Sequence, residues 1–232
     1  ITNISHAHIK NFKNINQIAL AKSEIIKNIK DDGYLILNRD DEFYNFHKKI
    51  GLRRNLKILS FSTKNKRATT NLDSISQEKS KYKIYININK KKKYFYLNTF
   101  FENDLKNLLA TITIISIFKD IHKLDKNIFY DHKVINGRGD IVKVKLFKKL
   151  FYLVDESYNS NPLSLKSALI NFDMIKIDNS RKHLVLGDML ELGKYSKKLH
   201  IEIGKNINKT SLKNVNVIGN HVKWTFNNLN KN

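Results

Sequence analysis

The sequence predicts an α/β protein in two successive units, a mostly parallel sheet with covering helices in residues 1–141 and a second α/β unit in residues 142–232. Three patterns predict it. Strand-like apolar runs at Tyr34–Leu37 and Lys57–Phe61 alternate with helix-like periods, the β–α–β order of a parallel sheet. The stretch from about Ala68 to Leu97 breaks that rhythm and reads as antiparallel strands. Two later strand ends, Leu153-Val154 and His183–Leu186, run straight into polar and acidic segments, which is where open α/β sheets bind ligands.

The elements follow in order. Ile1–Ile4 reads as the tail of a strand that enters a loop with His6 and His8. Ile15–Ile29 reads as a helix with Ile18, Leu20, Ile25 and Ile26 supplying its buried face. The strand Tyr34–Leu37 ends at Asn38-Arg39-Asp40-Asp41, a helix over Glu42–Ile50 follows, and then the strand Lys57–Phe61. Lys90–Lys93 lies between the strand-like Lys83–Ile88 and Tyr94–Leu97, and reads as a charged, solvated hairpin tip. Asp104–Phe118 is a strongly apolar helix, with a shorter one near Asn127–Asp131. Gly137-Arg138-Gly139 interrupts the pattern before a new hairpin and sets the boundary between units. Asn161-Pro162 then starts a helix whose apolar positions are Leu163, Leu165, Ala168, Leu169 and Phe172. The strand His183–Leu186 ends in Gly187-Asp188 and feeds another loop and helix. No internal repeat is evident.

Composition narrows the function classes. Hydrophobic residues make up 41% of the chain, enough for a globular core rather than disorder. With no cysteine there are no disulfides or thiolate metal sites, and a reducing compartment is expected. The longest apolar run, Leu108–Phe118, is too short to cross a bilayer, so no membrane insertion is expected. No signal peptide precedes Ile1, and because that residue is not methionine, a longer parent protein is expected. The net charge of +22 comes from lysine spread along the whole chain beside abundant asparagine and isoleucine, the signature of an AT-rich coding sequence. A nucleic-acid partner is therefore not expected, whereas the field favours anionic, phosphorylated substrates.

Two words carry the chemistry: Asp155-Glu156-Ser157-Tyr158-Asn159-Ser160-Asn161-Pro162, and Leu186-Gly187-Asp188-Met189-Leu190-Glu191-Leu192-Gly193 with His200 beyond it. Read as residues alone, they also fit helix caps and a Schellman-like turn. Together they resemble the C-terminal domain of the Mur ligases, with Glu156 standing where the family has a second aspartate. Within the family they are most similar to the branch that joins D-alanyl-D-alanine to UDP-N-acetylmuramoyl-tripeptide. The resemblance implies the remainder of a central ATPase domain followed by a partial Rossmann-like C-terminal domain. It also implies ATP and Mg2+ as cofactors, an acyl phosphate intermediate, and a monomer working in the cytoplasm on peptidoglycan precursors.

The resemblance also assigns residues. His8 matches a histidine that helps hold a second magnesium ion, a site that would need carboxylates or phosphates as well because magnesium prefers oxygen. Lys22 matches a lysine that several members carbamylate in support of that metal; an ordinary solvated helix lysine is the other reading. Asn107 matches an adenine contact, while Asn103 and Asp104 stand where the family has histidine and asparagine. Asn38 and Asp41 lie on the nucleotide side or simply form a strand-end turn. Arg138 matches a phosphate-binding arginine, and Asp155 an acidic residue that contacts the ribose. Tyr158, Asn159, Asn161, Asp188 and His200 are expected at the rim where the incoming dipeptide or a closing domain lies.

No Gly-Lys-Thr/Ser phosphate loop occurs in the sequence, so this polypeptide alone is expected not to turn over ATP. The alternatives are another Mur-type ligase or folylpolyglutamate synthase relative, a non-catalytic paralogue, and a basic nucleic-acid-binding protein.

Overall fold

The computed structural model describes residues 1–7, 9–79, 81–98, 102–132 and 135–230. They fall into two compact units: the first holds Ile1–Ile4 and Asn16–His132, the second Ser5–Ile15 and Lys133–Asn232.

The first unit is built on a five-stranded sheet in the order β1 (Tyr34–Asn38), β2 (Lys57–Ser62), β3 (Thr70–Glu78), β4 (Lys81–Ile88), β5 (Lys91–Leu97). β1, β2 and β3 are parallel to one another, and β3, β4 and β5 antiparallel. The helices are α1 (Ile15–Lys27), α2 (Tyr44–Arg53) and α3 (Glu102–Phe118). The alternation in β4 turns Ile84, Ile86 and Ile88 into one face, where they meet Phe61, Phe95, Leu105, Leu109 and Ile112 in a single core. Each such side chain contributes about 1.5–3 kcal/mol on full burial, which is why this strand and helix hold the unit together.

Two expectations need correction here. The hairpin tip is Asn89-Lys90, both with positive φ (49° and 68°), the geometry of a type I′ turn. Lys91–Lys93 instead open β5, where Lys92 pairs with Asp73 at 3.1 Å and the Lys93 amine donates to the His122 and Leu124 carbonyls. The helix expected near Asn127–Asp131 is a run of turns. The Asp125 carboxylate accepts the Asn127 N–H and the Lys126 carbonyl accepts the Tyr96 N–H, so local side-chain and strand contacts replace a helical ladder.

The second unit contains the antiparallel hairpin β6 (Asp140–Leu146) and β7 (Lys149–Asp155), then α4 (Pro162–Met174), β8 (His183–Gly187), α5 (Ser196–Ile207), β9 (Asn214–Ile218) and α6 (Lys223–Phe226). β8 and β9 are parallel, with α5 as their crossover. Among the described residues, β7 bonds only to β6, and β8 only to β9. The ends of β7 and β8 were expected on one rim of one sheet; they belong to two separate two-stranded sheets, because no strand hydrogen-bonds the one to the other. Among the described residues no helix is long and apolar enough to cross a membrane.

Candidate functional site

In the first unit, three of the residues picked out from the sequence converge on Ile1–Ile4. The buried Asn38 amide donates to the Thr2 carbonyl at 2.9 Å, and its oxygen accepts the Asp40 N–H at 2.9 Å. Asp41 accepts the Ile4 N–H at 2.8 Å with one oxygen and the Phe43 N–H at 2.9 Å with the other. The Lys22 amine, exposed on α1, donates to the Asn3 carbonyl at 3.0 Å. The strand-end turn thus acts as a set of pegs for the segment beside β1. His8 lies outside the described residues.

Sequence reasoning missed Asp40, the most heavily bonded carboxylate of this turn. It accepts the Ser62 hydroxyl, the Thr63 N–H at 2.7 Å and the Thr63 hydroxyl at 3.0 Å. Burial works against its charge, but these hydrogen bonds outweigh it and hold the carboxyl below its ordinary pKa. Only its place beside Asp41, where two strand ends meet, could have signalled it.

Asn107 is exposed on α3. One turn earlier, burial raises the Asp104 carboxyl pKa against the pull of His132.

In the second unit, the structure gathers Arg138, Asp155 and Tyr158. Gly137 (φ +77°) and Gly139 (φ +97°) adopt backbone shapes that favour glycine. Gly139 N–H donates to the Asp155 carbonyl at 2.6 Å, and Tyr158 N–H donates to the Gly137 carbonyl at 3.1 Å. A Cβ on Gly137 would stand 3.0 Å from Tyr158 Cβ, so glycine permits the close approach. The Arg138 guanidinium consequently lies over the Tyr158 ring, 4.5 Å from its centroid. The Ser157 hydroxyl and N–H hold the Asp155 carboxyl below its usual range. A forked cation, an aromatic face and a charged carboxylate at one end of the β6–β7 hairpin are the donor and acceptor types that a nucleotide's phosphate, base and sugar hydroxyls require.

The remaining rim residues play other parts. Asn159 is exposed. Asn161 is the N-cap of α4: its oxygen accepts the Leu163 and Ser164 N–H groups, and Ser164 Oγ accepts the Asn161 N–H, a reciprocal capping box. Asp188 accepts the N–H groups of Asn220, His221 and Val222 and so fastens the turn after β9. His200 is covered instead of open to a ligand: it is only 1% exposed, on the same side of α5 as Leu199, Ile203 and Ile207, and its Nε2 accepts the Met189 N–H just past the end of β8.

Among the described residues, no group of three or more His, Cys, Asp or Glu side chains converges to hold a metal ion. The unmodified Lys22 amine donates to the Asn3 carbonyl, and His8 lies outside the described residues.

Comparison with known proteins bears on the fold and the family. The Mur ligase middle domain family matches residues 1–115. A UDP-N-acetylmuramoyl-tripeptide–D-alanyl-D-alanine ligase from Rickettsia prowazekii is 30% identical over 235 aligned positions, covering 97% of this chain and 49% of the relative. MurF from Acinetobacter baumannii superposes with a TM-score of 0.83 at 21% identity, over 99% of this chain and 48% of that one. The MurF ligase from Thermotoga maritima, solved in complex with ADP, gives 0.77 at 21% identity, over 96% of this chain and 49% of that one. The chain thus spans about half the length of the relatives it matches. Residues 1–115 therefore belong to the Mur ligase middle domain family, and the fold shared with the two MurF structures is carried through the rest of the chain.

Proposed function

We propose that the chain serves an ATP-dependent amide ligase that adds D-alanyl-D-alanine to UDP-N-acetylmuramoyl-tripeptide, as a monomer in the cytoplasm. In that reaction the tripeptide's terminal carboxylate attacks the γ-phosphorus of ATP and ADP leaves. The dipeptide's amine then attacks the acyl phosphate carbonyl, phosphate departs, the amine nitrogen loses a proton and an amide remains. Such catalysis rests on positioning and on neutralising phosphate charge. In this reading magnesium, when bound, screens the transferring phosphoryl group.

The observation that carries the reading is the glycine-flanked Arg138 folded onto Asp155–Tyr158. Arg138 binds phosphate oxygens through its fork, and Asp155 accepts from the ribose hydroxyls. The name of the Rickettsia prowazekii relative supports the substrate pair, and the ADP complex of the Thermotoga maritima neighbour supports the nucleotide.

Titration with a fluorescent ADP analogue tests it. The chain binds, and Arg138→Ala or Asp155→Asn weakens binding about tenfold, the loss expected for one charge-assisted hydrogen bond. Affinity unchanged in both variants, or no binding by the unaltered chain, overturns the assignment.

A further inference from the structure

Residues Ser5–Ile15 form a strap that belongs to the second unit, although the chain on both sides of it belongs to the first. The loop after β8 fastens it at three points. The Lys10 N–H donates to the Glu191 carbonyl at 2.8 Å. The Tyr195 hydroxyl donates to the Lys13 carbonyl at 2.6 Å. Gly193 approaches so closely that a Cβ there would stand 3.1 Å from Lys10 Cα. Ile9, in the strap's short 3-10 turn, is 2% exposed.

The receiving loop is held in an unusual shape. Glu191 has φ +59°, uncommon for a residue with a side chain, and Gly193 has φ +52°. Such a turn persists only where its surroundings fix it. Asp188 anchors its start through three backbone N–H groups, while Met189 and Leu192 are buried on either side. Between them His200 Nε2 accepts the Met189 N–H at 3.2 Å. A ring nitrogen that accepts carries no proton, so the proton sits on Nδ1, which donates to the Ser196 carbonyl at 2.8 Å.

We propose that His200 is a positioning residue for the strap: by accepting the Met189 N–H it fixes the loop whose Glu191 carbonyl, Gly193 and Tyr195 hydroxyl fasten Ser5–Ile15. The latch rests on the geometry of the second unit. Only its value for ligation rests on the ligase reading, in which the strap joins the Ile1–Ile4 segment to the helix that bears Lys22.

The proposal has a pH signature. The titratable groups near the ring are Asp188 at the end of β8 and His221 before α6, with Ser196 on α5 itself and the Trp224 ring alongside. Burial lowers the ring's pKa below 6.5 and His221 adds to this, against the Ser196 carbonyl and Asp188, which act the other way. A second proton, on Nε2, would turn the acceptor into a donor facing the Met189 N–H. An opened ring titrates at its ordinary value, so the latched state loses stability as pH falls below 6.5, down to the depressed value.

Hydrogen exchange on the full chain tests this through protection factors, which remove the intrinsic pH dependence of exchange. Tyr195→Phe deletes one hydroxyl and should lower Lys10 protection about fivefold, leaving Ile203 in α5 unchanged. In the unaltered chain, Lys10 protection should fall between pH 7 and pH 5, by at most about tenfold per pH unit. His200→Gln offers an amide oxygen to Met189 at every pH and should remove that dependence. Lys10 protection indifferent to Tyr195→Phe or to pH, or a pH dependence that survives His200→Gln, overturns the latch. If His200→Gln does not fold, the other two measurements still decide. Nucleotide titration reports on the ligase reading separately, so either idea can fail without the other.

Discussion

Asp188 places three backbone N–H groups, those of Asn220, His221 and Val222, on one carboxylate. Burial opposes its charge, yet the N–H groups outweigh that and lower the carboxyl below 3.8. A folded pKa below the unfolded one means that the stabilisation is complete above 3.8 and is lost as pH falls through the lower, folded value. Asp188→Ala should therefore destabilise the second unit by about 2 kcal/mol at neutral pH and flatten the acid limb of its stability curve. Urea unfolding followed by Trp224, the sole tryptophan of the sequence and part of α6, measures both; an unchanged midpoint refutes the peg. The sequence marked Asp188 and His200 as important without showing that they bond backbone, for a physical reason. A strand-end carboxylate and a helix histidine have the same spacing whether they meet a ligand or neighbouring backbone, and what they met here was set by residues 220–222 and by Met189, distant along the chain.

Among elements, those defined by local period were legible. The helix α1, the apolar runs of β1 and β2, and the Asn161-Pro162 start of α4 all appear in the expected places, although on α1 only Ile18 and Ile26 of the four expected core residues are buried, Leu20 and Ile25 being exposed. The turns at residues 126–131 and the separation of β6–β7 from β8–β9 were not legible, because both depend on which strand edges meet. The packing of α5 on α6 belongs to this second kind. Gly204 lies inside α5, where propensity alone favours alanine by about 1 kcal/mol. A Cβ there would stand 2.7 Å from the Thr225 carbonyl oxygen and 3.1 Å from Asn228 Cβ. Because the nearer obstacle is backbone, the helices must separate, at an overpacking cost of about 1–3 kcal/mol. Overpacking outweighs propensity, so Gly204→Ala should lower the urea midpoint of the second unit. A raised midpoint would mean that α6 yields without loss. Asn161→Ala, which removes only the cap of α4, should cost about 1 kcal/mol in the same assay.

For the molecule as a whole, charge and length govern what the chain can do alone. Its 43 basic and 21 acidic residues attract anions, but Lys92 is paired with Asp73 and Lys93 with backbone carbonyls, so part of the basic run is already engaged. The same field should draw nucleotides without conferring specificity. Turnover demands more: backbone amides and a lysine that cradle the transferring phosphates, and a metal site that neutralises them. The 232 residues contain no glycine-rich Gly-Lys-Thr/Ser loop, and among the described residues no metal-holding cluster. In the proposed reading, Arg138 and Asp155 of the second unit hold the nucleotide beside Tyr158 and do not cleave it. The chain alone, supplied with ATP, magnesium, UDP-N-acetylmuramoyl-tripeptide and D-alanyl-D-alanine, should therefore bind ADP yet release none from ATP in a coupled assay. ADP formation above the uncatalysed rate, abolished by Arg138→Ala, would show that phosphate positioning in this chain needs no such loop, and the division between holding and cleaving would fall.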